Sequence, residues 1–122
     1  MWTYTAYILG KYCKKKSVEQ LQFKEISDFV FNVIWKEEKM TLWDGSEELY
    51  NDLKYLNQLK IINLAEKKDI NHTTISILNK KTLERAVKTV ENSPMVTGVG
   101  LFAEYNKRIN SALDRVFEQK AS

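Results

Sequence analysis

Between Asp44 and Leu78 the chain reads DGSEELYNDLKYLNQLKIINLAEKKDINHTTISIL, a leucine-spaced helix running straight into two β-favouring segments. Leu49, Leu53 and Leu56 recur at intervals of four and three, the spacing of one buried stripe, on a helix over about 45–60. Asp44 is a candidate cap for that helix, and Glu47 is placed three residues on to return a bond to its amide. Leu59 lies at the edge of the stripe, and Ile61–Ile62 open an extended run. INLAE and HTTISIL then read as two short strands around the polar turn Lys67–Asn71. The rest of the chain has to fold around this helix and ribbon.

At 122 residues there is room for one core and not for two. A hydrophobic share of 43% against 29% charged residues is that of an ordered globular chain with a helical lean. The single cysteine, Cys13, has no disulfide partner in the chain and reads as a small buried hydrophobe in a reducing compartment. No apolar run approaches the roughly 18–20 residues of a membrane span. Met1–Leu9 lacks preceding basic residues and a following cleavage site, so a soluble cytoplasmic protein is the expectation. Charge is unevenly spread: residues 1–22 and 79–122 each carry +3, residues 23–60 carry −3, and 61–78 balance.

In chain order, residues 1–16 alternate as a strand (Trp2, Tyr4, Ala6, Ile8) and also step by four as a helix (Tyr4, Ile8, Tyr12). A helix over about 3–15 is favoured, with Lys14, Lys15 and Lys16 suited to the negative end of its dipole. Ser17 to Gln20 has the form of a capping box, predicting a second helix from there with a break near Phe23. Ile26, Phe29, Val30, Val33 and Ile34 share a stripe widened by Phe23, Phe31 and Trp35, which marks this helix as the expected centre of the core. After the polar break Lys36–Lys39, Met40–Leu42 is a candidate strand, and Trp43 a staple onto the next helix.

Beyond the ribbon, Asn79 or Thr82 caps a helix with Leu83, Ala86, Val87 and Val90 on one side. Ser93–Pro94 ends it, and Met95–Gly100 reads as a turn. In the last helix, about 100–119, Phe102, Tyr105, Ile109, Ala112 and Val116 form a heptad-like seam broadened by Leu101, Leu113 and Phe117. That seam suits a dimer interface, or else the chain's own core.

LYNDLKYLNQLKIINL is similar to the helix-to-strand junction of winged-helix regulators of the MarR, PadR and ArsR kind, with Leu49, Leu53, Leu56, Leu59 and Ile61–Ile62 in the characteristic places. The resemblance implies an α+β, mostly helical winged helix-turn-helix over 1–79 with a C-terminal helical dimerisation extension over 80–122. It also implies a homodimeric transcriptional regulator that binds double-stranded DNA with a helix in the major groove and a hairpin on the backbone. The DNA-contacting candidates are Asn51, Lys54, Tyr55 and Gln58 on the helix, and Lys67, Lys68, Asn71 and His72 on the hairpin.

Three features depart from the family pattern. Lys60 stands where a glycine is usual, which costs about 1 kcal/mol if the backbone is left-handed there. No separate positioning helix is evident between Met40–Leu42 and the leucine-spaced helix. The start of that helix carries Asp44, Glu47 and Glu48, which suit its dipole but repel phosphate. A winged helix that docks a protein partner without touching DNA is the alternative reading. Asp52 with Glu66, Lys67 and Lys68 echoes the carboxylate–lysine pattern of metal-dependent nucleases, in residue types too common to carry weight. His72 is the only histidine, and neither enzyme activity, cofactor nor metal is expected.

Overall fold

The computed structural model describes residues 2–93 and 101–121. In order they form α1 (Trp2–Lys16), β1 (Gln20–Gln22), α2 (Phe23–Asp28, continuing as a π-helix over Phe29–Trp35) and α3 (Ser46–Gln58). Then follow β2 (Ile62–Ala65), a 3₁₀ turn (Ile70–His72), β3 (Thr74–Ile77), α4 (Lys80–Glu91) and α5 (Leu101–Ala121). The class is α+β and mostly helical, with one antiparallel three-stranded sheet in the order β1-β3-β2. The expected turn over 95–100 lies outside the described residues, as do the side chains of Trp2, Leu101 and Phe102.

The centre of the core is α1 rather than α2. Every residue from Tyr4 to Leu9 is buried, and so are Tyr12 and Cys13. A helix covered on nearly all sides shows no single stripe, which is why its sequence alternates and steps by four at once. It packs against α3, α4 and α5. Gly10 permits the closest approach, since a Cβ there would stand 2.6 Å from Val87 Cγ2 on α4. In α2, by contrast, Phe31 and Val33 are only half-buried and Trp35 is 46% exposed, stacked edge-on against Phe31.

Ser17 closes α1 instead of opening the next helix. Its φ of 62° is left-handed, and the Ser17 and Val18 amides donate back to the carbonyls of Lys14 and Cys13. The chain is thereby turned into β1, where Leu21 alone points inward between two exposed glutamines. Leu21 opposes Ile75, and Ile75 opposes Leu64, giving one buried apolar row across all three strands. Thus the third strand is Gln20–Gln22 and not Met40–Leu42, which is irregular; Met40 is buried there and its amide donates to Ile34 O.

The start of α3 is shifted from the expected box. Gly45 is the N-cap residue, and Glu48 rather than Glu47 accepts the Asp44 amide, at 2.9 Å. At its other end the Lys60 and Ile61 amides donate to the carbonyls of Asn57 and Leu56, with Lys60 left-handed at φ 61°. Of the two candidate caps for α4, Asn79 serves: its Oδ1 accepts from the Thr82 amide. Leu83 and Val90 of α4 and Ile109, Ala112 and Leu113 of α5 belong to the same apolar core as α1, so residues 80–93 and 101–118 share one core with the part before them.

Candidate nucleic-acid interface

Leu49, Tyr50, Leu53 and Leu56 are buried on the inner side of α3, so Glu47, Asn51, Lys54, Tyr55 and Gln58 are left exposed on the outer side. Two side chains fix how this face stands relative to the ribbon. Asn57 Oδ1 accepts the Leu64 amide at 3.0 Å, tying α3 to β2. The Tyr50 hydroxyl donates to Glu66 Oε1 at 3.0 Å and lies 3.5 Å from Thr73 Oγ1, and its ring meets Phe23 edge-on at 5.1 Å. Burial and the neighbouring Glu66 carboxylate both push the Tyr50 phenol up, so it stays a donor at neutral pH.

The ribbon loop is locked from within by Thr73, which is fully buried and whose Oγ1 accepts the Lys67 amide. Asp69 caps the 3₁₀ turn by accepting the Asn71 amide, and its carboxylate lies 3.7 Å from His72 Nε2. The expected hairpin candidates Lys67, Lys68, Asn71 and His72 are therefore all exposed on a loop with defined geometry. Neither Tyr50 nor Thr73 stands out in the sequence; the only signal for Thr73 is a threonine where the β-favouring run begins.

Electrostatically the face is divided. Glu47 and Glu48 are exposed at the start of α3, while Lys54, Lys60, Lys67 and Lys68 are exposed at its end and on the ribbon. None of these lysines forms an ion pair among the described residues, although Lys54 Nζ rests 5.8 Å from the centre of the Tyr50 ring.

The nuclease-like carboxylates serve internal bonds. Asp52 Oδ2 accepts from Thr5 Oγ1 at 2.8 Å and Trp43 Nε1 at 2.9 Å, and Glu66 accepts from Tyr50. Among the described residues no group of three or more histidines, cysteines or acids is placed to hold a metal. Burial raises the Cys13 thiol to about 12, so it is a protonated core side chain.

The described part of the last helix's heptad-like seam, from Tyr105 to Val116, turns toward the chain's own core. Ile109 and Ala112 are fully buried within the chain, Tyr105 and Val116 are half-buried against the same core, and the Phe102 side chain lies outside the described residues.

Comparison with protein-family models, curated proteins and solved structures gives no match. Among the described residues no helix is long and apolar enough to cross a membrane.

Proposed function

We propose that the chain is a winged helix-turn-helix domain that binds double-stranded DNA, as a transcriptional regulator does. The reading rests on the element order helix, strand, helix, helix, strand, strand, with the last strand in the middle of the sheet. In that scheme α2 and its π-helical continuation occupy the place of the positioning helix, α3 is the recognition helix and β2–β3 the wing.

The observation that carries DNA binding is the pairing of two features: an α3 face with Asn51, Lys54 and Gln58 exposed, and a ribbon tip with two unpaired lysines. Amides bond adenine edges, and lysine reaches guanine or phosphate. The test is Lys67→Ala/Lys68→Ala in a duplex-binding titration across salt. Each lysine that neutralises a phosphate contributes about one unit to the slope of log K against log salt, so the slope should shallow by about two. The melting temperature should be unchanged because neither side chain has a partner among the described residues. An unchanged slope would remove the wing from the interface.

Glu47 and Glu48 favour a second reading, a winged helix that docks a protein, because carboxylates at the leading turn oppose phosphate. Under DNA binding, Glu48→Gln strengthens affinity for random duplex; under protein docking it leaves duplex affinity flat. The proposal includes a homodimer, the usual way to read a two-fold site. With Ile109 and Ala112 internal, its contact surface does not include those two side chains.

A further inference from the structure

Of the eight basic residues in 79–122, four lie on α4: Lys80, Lys81, Arg85 and Lys88. Lys81, Arg85 and Lys88 follow one another at four and three residues, all exposed, and none forms an ion pair among the described residues. They lie within about 60° of arc and span roughly 10 Å of helix. The opposite side of α4 is its core face. The groove of about 630 Å³ between α4 and α1 has a mixed lining, with Lys14 and Lys88 beside Glu19, Glu84 and Glu91, so the unpaired stripe is confined to the outer side of α4.

The kind of partner follows from what the stripe lacks. A protein interface needs an apolar centre, and the exposed residues of α4 are Lys80, Lys81, Glu84, Arg85, Lys88 and Thr89, none of them apolar. Evenly repeated cations without an apolar anchor match a repeated anion. Each strand of a duplex presents a phosphate about every 3.4 Å along the axis, so a short run of backbone fits the stripe.

The placement of α4 relative to α3 gives this a consequence. Thr5 of α1 bonds Asp52 of α3, whereas Gly10 of α1 lies against Val87 and Leu83 of α4. Five residues at about 100° each separate those two sides of α1 by about 140°. α3 and α4 therefore pack on sides of α1 about 140° apart, and the surfaces they turn away from α1 are well separated. We infer that the α4 stripe is a second phosphate-backbone surface, and that one copy of the chain holds two duplex segments, one at α3 and the ribbon, the other at α4. The bridging part rests on the α3 reading proposed above; the α4 surface does not.

The test is a sandwich capture: one duplex on beads, the full chain, and a fluorescent second duplex, with Lys81→Gln/Arg85→Gln/Lys88→Gln compared against Lys67→Ala/Lys68→Ala. The α4 variant should keep its melting temperature and its binding to the bead duplex, and capture about tenfold less of the second or lower still. Loss of all duplex binding in the α4 variant, with none lost in the ribbon variant, would support the α4 surface and refute the α3 reading. Unchanged capture by the α4 variant would overturn the α4 surface, and the ribbon variant would still decide the α3 reading independently. Displacement of the second duplex by polyglutamate as readily as by an equal charge of DNA would also overturn it, in favour of an acidic polypeptide.

Discussion

Asp52 shows how one side chain can be given two readings until its neighbours are known. In sequence it falls among acids and lysines that suggest metal chemistry; in the fold one of its oxygens holds Thr5 and Trp43 together, both buried. Asp52→Ala would strand two buried donors and should cost about 2–4 kcal/mol in urea unfolding. Asp52→Asn keeps an acceptor oxygen there and should lose less than half of that; equal losses would show that charge, not hydrogen bonding, matters. Lys60 is the opposite case, legible in advance because the leucine-spaced helix must end sharply before Ile61–Ile62. Its left-handed backbone suits a residue with no Cβ, so Lys60→Gly should raise stability by about 1 kcal/mol. A fall in the urea midpoint would mean the lysine stem packs usefully enough to outweigh the strain.

Elements were legible where one face alone is buried. The period of α3 and of α4 shows in their leucines and valines, and the β2–β3 ribbon in its alternation. The helix expected over about 3–15 is α1, Trp2–Lys16, but its place at the centre of the core was not readable because it is covered on most sides, and β1 was not readable because three residues carry too little pattern. Ser17 compounds the difficulty: the same residue type that caps a following helix here takes the left-handed turn that ends the preceding one. The seam of α5 was visible, but a heptad-like row does not say whether its partner is another copy or the same chain. With Ile109 fully buried, Ile109→Glu places a carboxylate in the chain's own core and should cost about 4 kcal/mol. The variant should lose its cooperative melt. Retained helicity with a drop in sedimenting mass would instead show that α5 serves a second chain.

At the scale of the whole molecule, stability depends on a helix rich in groups that ionise at high pH. Burial raises the Tyr4 phenol to about 12 and the Cys13 thiol to about 12, and it raises Tyr7 and Tyr12 as well. The Tyr7 hydroxyl donates to Asn106 of α5, and the ring of Tyr12 packs on Phe29 and Phe117. Each of these groups must therefore stay neutral for α1 to remain between its neighbours. In the unfolded chain the thiol and phenols ionise near their ordinary values of 9 and 10. Unfolding then releases protons, and native stability falls as pH rises. The contribution is complete below about pH 9 and is lost progressively toward about pH 12. Circular dichroism at 222 nm and phenolate absorbance at 295 nm, followed together through that window, should change in one cooperative step, with the buried phenols titrating only as the helices melt. Smooth ionisation of all six tyrosines near pH 10 with the helical signal intact would show instead that α1 is open to solvent.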